Sequence, residues 1–489
     1  MAKAIIGGLE VDSDSKVPII NPATGDKVDK VPKLGIEQVR YAIEEAERAQ
    51  VELEAMPASE RAKALIKASQ AIRDHADEIS RITALEIGRP IKSSRADVVR
   101  AASIFELAAS ELKSALEGKF IPLEVYEYPS GNDHRIALTK RQPLGVVASI
   151  TPFNFPAASF AHKLAPALAV GNSVVHKPTI YAPLTQLAMA KLIAPNFPKG
   201  SLNVITGDSR PIGDEFISNE KISLITFTGS ESVGLSLAAR AVSAGKRVIM
   251  ELGGSDAEIV FEDADMDSAA SAALTGRFDY AGQFCNATKR LLVQKNVKEE
   301  FLKSIRQKMR SLKVGDPLSE DTSIGPLINA DAVDKMKLFL DDALQKGAKI
   351  IEKLATPNTG FFFPPTLIDD VSPSMKVLTE EVFGPILPVY YFSDDDEAVN
   401  VVNSTKYGLD ASIFTRDFAR AYLIANRVKA GSIVINDTTR LRWDNLPFGG
   451  MKKSGIGRES VRDTMLEMTE SKLLVYKIRN KKLNARIKP

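Results

Sequence analysis

The sequence is poor in cysteine: Cys285 is the single thiol among 489 residues. That excludes an intramolecular disulfide and a multi-cysteine metal cage, and no metal is expected. Histidine is scarce too. His75, His134, His162 and His176 all lie far from Cys285 in the chain, so a Cys/His hydrolase would need the fold to supply the pair. Charge of one sign is missing, since 64 Lys+Arg against 62 Asp+Glu leave a net charge of +2. Without a basic excess or stripe there is no footprint of a nucleic-acid partner. No stretch approaches the roughly 20 apolar residues of a membrane span. The N-terminal run Met1–Gly8 is too short for a signal peptide, and the basic tail Lys477–Lys482 reads as a solvated end. Together these features predict a cytoplasmic globular protein with room for two or three domains.

What is present alternates in texture. From Gly35 to about Glu117, Val39, Ile43 and Ala46, then Ala64, Ile66, Ile72, Ile79 and Ile82, recur at helical spacing with charges between them. From Pro143 onward, short β-rich runs alternate with helical ones. The strand candidates are Gly145–Ile150, Ser173–His176, Leu202–Ile205 and Ser223–Phe227, with a helix over Phe160–Val170. A second alternating block carries strands at Glu258–Phe261, Arg290–Val293 and Ser432–Ile435. Such alternation predicts an α/β fold with mostly parallel sheets covered on both faces. Val125–Thr139 reads as a hairpin turning at Pro129–Asp133, and Lys472–Ile478 as an alternating strand. Exposed edges of that kind invite a second copy of the chain.

Cys285 sits in Gly282-Gln283-Phe284-Cys285-Asn286, a run better suited to a turn than to a core. It is either a small buried hydrophobe or a nucleophile. A thiolate attacking a carbonyl needs an oxyanion donor, a means of activating water and a destination for the leaving group. Asn154, between Pro152 and Pro156 at a predicted strand end, has amide N–H groups to offer. Glu251, set in Ile249-Met250-Glu251-Leu252-Gly253-Gly254, is an acid among apolar residues and therefore a candidate general base. Each also has a plain structural reading, as a turn asparagine and a strand cap. Thr228-Gly229-Ser230-Glu231-Ser232-Val233-Gly234 turns from strand to helix, a phosphate-binding geometry without the dinucleotide fingerprint. His176-Lys177-Pro178-Thr179 closes another strand with a cation and a hydroxyl.

Taken in order, these motifs resemble the aldehyde dehydrogenase superfamily over essentially the whole chain. The resemblance extends to Glu381-x-Phe383-Gly384-Pro385 and to Pro447-Phe448-Gly449-Gly450 with Ser454-Gly455-x-Gly457-Arg458-Glu459. It implies a Rossmann-like cofactor domain over 1–121 and 142–252 and an α/β catalytic domain over 253–465. It also implies a β oligomerisation arm over 122–141 and 466–489, building a homodimer or homotetramer. In that family Cys285 attacks an aldehyde, Asn154 and the Cys285 N–H hold the oxyanion, and Glu251 activates the hydrolytic water. Lys177 is similar to the lysine on the adenosine ribose. Ser230, in the turn with Gly229 and Gly234, resembles the residue at the pyrophosphate, and Glu381 with Phe383 the pair at the nicotinamide end. Two other readings stay open: a coenzyme A-acylating relative, which commonly lacks the acid at 251, and a non-catalytic structural descendant.

The chain departs from the family pattern in places. Phe153, counted with the cofactor contacts, stands where Trp is frequent, and Ser255 and Ala257 replace a usual Lys and Pro. Ile180 occupies a position where NAD-preferring relatives often carry Glu. Its absence removes a carboxylate that would repel a 2′-phosphate, while Thr179 and Arg210 offer donors to one, so NADP is favoured over NAD. For the substrate, Phe155, Phe284 and Phe448 are expected to line an aromatic tunnel, and Arg440 or Arg442 to hold an anionic group. Their other reading is as salt-bridge partners. The loop resembles those of archaeal-type enzymes acting on glyceraldehyde-3-phosphate, lactaldehyde or succinate semialdehyde. A short polar or anionic aldehyde is the expectation.

Overall fold

A computed structural model describes residues 2–477. The helical texture resolves into four helices, Ile36–Ala55, Ala58–Asp74, Ala76–Ile87 and Ile91–Ala115. Met56, held extended at ψ 124° ahead of Pro57, ends the first of them. Val39, Ile43, Ala46, Ala64, Ile72 and Ile79 are buried as their spacing requires. Ile66 is not. Ala64, Leu65, Ala68 and Ile72 already fill the buried stripe of the second helix, and Ile66 falls off it into solvent.

The first sheet has eight strands in the spatial order 455–456, 247–251, 222–228, 146–151, 174–178, 202–204, 4–6 and 9–11. The five strands from 247–251 across to 202–204 run parallel. The chain order reverses between strands 146–151 and 222–228, so a crevice opens beyond their carboxyl ends, where open α/β sheets bind ligands. The second sheet orders 349–353, 366–369, 386–392, 288–294, 256–260, 410–414 and 432–435, parallel but for its first pair. The expected strands are therefore present, in a mixed α/β architecture with mostly parallel sheets.

Two boundaries differ from expectation. The helix expected from Phe160 begins at Pro156. Proline is tolerated in a first turn, and the Asp97 carboxylate accepts the Ala157 N–H at 3.1 Å and the Ala158 N–H at 3.4 Å, capping the helix from another element. The hairpin is also displaced. Lys119–Ile121 rather than residues from Val125 pairs with Arg135–Pro143, and Pro129–Asp133 lies within the longer connection between them. Thr469–Lys477 pairs along the other side of Arg135–Pro143, starting three residues before the expected Lys472. Ile478 and the rest of the basic tail lie outside the described residues.

Candidate active site

A cleft of about 570 Å³ runs between the two sheets. The carboxyl ends of the first sheet and the segment leading into strand 288–294 of the second form its walls. Cys285 lies on that segment, half-buried and facing the cleft.

The backbone before Cys285 is forced. Tyr280, Ala281 and Gly282 have φ values of 44°, 52° and 70°, a left-handed run that only surrounding contacts can maintain. Tyr280 Oη donates to the Ile87 carbonyl at 2.7 Å. A Cβ at Gly282 would stand 2.6 Å from the Arg277 carbonyl, so glycine is required on two counts. Gln283 ties the turn down, donating to the Pro326 carbonyl at 3.2 Å and accepting the Ile328 N–H at 2.9 Å. Burial pushes the Cys285 thiol up to about 12; Lys289 opposes the shift, and Asp256 and Glu251 add to it.

Asn154 is brought to the same place by the Pro152–Pro156 turn. One of its side-chain N–H groups donates to the Gln283 carbonyl at 2.8 Å, leaving the second for another acceptor. Its own carbonyl accepts from Arg89 at 3.1 Å. Arg89 is buried, 3.7 Å from Asp97 and 4.3 Å above the Phe155 ring. No local pattern in the sequence points to Arg89: its side chain also donates to the nearby Ser93 hydroxyl at 2.8 Å, but its contact with Asn154 spans 65 residues.

Glu251 ends strand 247–251, fully buried. Neither of its carboxylate oxygens has a hydrogen-bond partner among the described residues. Burial, and then the nearby Glu459 carboxylate, raise it well above the ordinary carboxylate range. Glu459 has the opposite balance. Burial works against its charge, but Lys163 at 3.1 Å and Arg442 at 2.9 Å hold it well below that range.

At the other end of the cleft, Lys177 and Thr179 sit at the end of strand 174–178. Burial lowers Lys177 to about 8, with Asp208 opposing the shift. Gly229 and Ser230 lead into the helix Glu231–Ser243, whose first N–H groups have no side-chain cap. A Cβ at Gly229 would meet the Phe227 ring at 2.5 Å. Glu381 accepts the Gly254 N–H at 3.1 Å, and Phe383 packs edge-on against Phe153 at 6.1 Å. A buried lysine, an uncapped helix N-terminus and a carboxylate along one groove fit a dinucleotide. Among the described residues no group of metal-binding side chains is placed to hold an ion.

Four expected site residues are not in the cleft wall: Glu251, buried beside it, and three others. Arg210 lies on the first turn of the helix Ser209–Ser218 and points to solvent. Gly234 is a packing residue, where a Cβ would stand 2.2 Å from the Leu252 side chain. Phe284 is fully buried behind the wall, stacked on Phe155 and Tyr280, with the Arg440 guanidinium 3.5 Å from its ring. The turn carrying Gln283, Cys285 and Asn286 sets these three in the cleft wall and turns Phe284 inward. Phe155 and Phe448 do line the cleft. Arg440 and Arg442 line it as well, each already ion-paired, Arg440 with Asp279 at 2.7 Å and Arg442 with Glu459 at 2.9 Å.

The model of the Aldehyde dehydrogenase family matches residues 10–474. The chain belongs to this family. It is similar to the lactaldehyde dehydrogenase of Methanocaldococcus jannaschii, 36% identical over 94% of this chain and 96% of that one. It is also similar to the NADP(+) succinate-semialdehyde dehydrogenase GabD of Escherichia coli, 37% identical over 96% and 97%. Among solved structures, the glyceraldehyde-3-phosphate dehydrogenase GapN of Methanocaldococcus jannaschii, complexed with NADP, superposes with a TM-score of 0.89. It is 35% identical and covers 95% of this chain and 100% of its own. The protein is an NAD(P)-dependent aldehyde dehydrogenase.

Proposed function

We propose that this aldehyde dehydrogenase converts a short polar or anionic aldehyde to the free acid through a thioester on Cys285. The thiolate adds to the aldehyde carbon, and the new oxyanion takes hydrogen bonds from the free Asn154 N–H and the Cys285 backbone N–H. When bound, NAD(P)+ supplies the hydride acceptor that turns this thiohemiacetal into a thioester. Lys177, the Gly229–Ser230 turn and Glu381 hold the dinucleotide along the groove. Glu251 removes a proton from water as it attacks the thioester, releasing acid and thiol.

The observation that carries this reading is the Glu251 carboxyl, buried with no hydrogen-bond partner among the described residues and near enough to Cys285 for its charge to act on the thiol. A buried acid without a hydrogen bond is costly and asks for a function. The domain division given by the resemblance belongs to the same reading. So does assembly into a dimer or tetramer through the arm, whose outer strand exposes Leu473, Val475 and Tyr476.

NADP is favoured over NAD by Ile180, which puts no carboxylate beside Lys177 and Thr179, and by NADP in the names of similar proteins. Arg210 lends no support to that preference. Substrates of lactaldehyde, succinate-semialdehyde or glyceraldehyde-3-phosphate type come from the named relatives. A panel of such aldehydes assayed with both cofactors tests the reading. Acid formation with a higher kcat/KM for NADP is expected, and an NAD preference above tenfold would overturn the cofactor choice.

A further inference from the structure

Lys289 is the second residue of strand 288–294 and is fully buried, but nothing in its sequence neighbourhood marks it. Its neighbour Arg290 turns away, donating to the Ser255 carbonyl at 2.9 and 2.7 Å and to the Val401 and Val402 carbonyls. Lys289 points back toward the nucleophile. Its side-chain nitrogen donates to the Phe284 carbonyl at 2.8 Å and, more closely, to the carbonyl of Cys285 itself. The nearest carboxylate oxygen, on Glu381, is 3.6 Å away, beyond a hydrogen bond. A buried cation without a hydrogen-bonded anion is expensive. The chain spends that energy within reach of its sole thiol.

We propose that Lys289 is a positioning residue whose charge, fixed by the Phe284 and Cys285 carbonyls, promotes the thiolate of Cys285. The inference rests on Cys285 being the nucleophile. Burial opposes ionisation of this thiol, and so do the acids Asp256 and Glu251; Lys289 is the largest opposing influence, followed by Arg442. The acids that face Lys289 come from three other segments: Glu381, Asp256 on strand 256–260 and Asp410 on strand 410–414. Asp256 and Asp410 are both raised by burial, which lessens their neutralisation of the cation.

The test is the second-order rate of Cys285 alkylation by iodoacetamide in the cofactor-free, full-length enzyme from pH 7 to 9. Lys289→Gln keeps a donor for the carbonyls and loses the charge; Lys289→Met loses both. With one thiol in the chain, every alkylation event reports on Cys285. Both variants are expected to react about tenfold more slowly at each pH, the effect of a one-unit rise in thiol pKa. A residue that only propped the loop would leave the Gln variant's rate unchanged. Lys289→Gln within twofold of wild type across the range overturns the proposal, whether or not Lys289→Met folds. Failure of the underlying reading is separately visible: Cys285→Ala would continue to turn over, while the alkylation comparison still reports thiol ionisation.

Discussion

Glu251 and Glu459 are two buried neighbouring carboxyls, Glu459 in the cleft wall and Glu251 beside it, and their surroundings push them in opposite directions. Glu459 has a cation on each oxygen and stays charged; among the described residues Glu251 has none on either oxygen, and it feels its neighbour's charge. Divergent pairs of this kind separate acid–base roles within one site. The sign of the pH effect follows. Glu251 can accept a proton only when ionised, and its folded-state value is raised, so acid formation should fall as pH drops through that raised value. A kcat profile measured on acid release should therefore lose activity on the acid side well above the ordinary 4.5 of glutamate. A profile flat down to pH 5 would argue against Glu251 as the base. The three reacting side chains were legible in sequence because each sits in a short local motif. Arg89 and Lys289 were not: Arg89 meets the site through the remote Asn154, and Lys289 binds main-chain carbonyls of Phe284 and Cys285, which leave no side-chain signature in the sequence. Phe284 was misread for a related reason: position beside Cys285 does not tell which way its side chain leaves the turn.

The cleft is positioned by elements that cap and brace one another. Glu86, at the end of the helix Ala76–Ile87, accepts the Leu184 N–H at 2.7 Å and the Thr185 N–H at 2.9 Å, with the Thr185 hydroxyl as a third donor. It thus caps the helix Pro183–Ile193 from outside, in the absence of a side-chain cap of that helix's own. Glu86→Ala leaves the Leu184 and Thr185 backbone N–H groups unmet, at about 1–3 kcal/mol each, while the Thr185 hydroxyl keeps its contact with Thr83. A lower denaturant midpoint with an unchanged m-value is expected. Burial raises Glu86 to about 7 despite its three hydrogen bonds. Its folded-state value exceeds its unfolded one, so its contribution is full below about 4.5 and declines as pH rises through about 7. The loss on substitution should then be larger at pH 5 than at pH 8, and equal losses would contradict this assignment. At this scale the alternation of strands and helices was readable from apolar periodicity. The start of the helix at Pro156 was not, because its cap comes from Asp97, nearly sixty residues upstream. The arm pairing escaped for the same reason: Lys119–Ile121 and Thr469–Lys477 meet on Arg135–Pro143 from opposite sides.

Across the whole molecule, two mostly parallel sheets face each other so that one contributes its strand ends and the other the approach to strand 288–294. The thiol and the dinucleotide groove meet only in this arrangement, with Glu251 buried close by, although their residues are spread from Asn154 to Glu459. Family motifs in the right order anticipated the meeting. The substrate was less legible, since the arginines facing the cleft are already paired and only the shape and polarity around them discriminate between aldehydes. The central claim, a thioester on Cys285 resolved by Glu251, has a direct test. Glu251→Gln mixed with NADP and an accepted aldehyde should release one equivalent of reduced cofactor per site and then stall. Mass spectrometry of the quenched protein should find the acyl group on the peptide that contains Cys285. Steady turnover at the wild-type rate, or reduced cofactor without an acylated Cys285, would contradict the account.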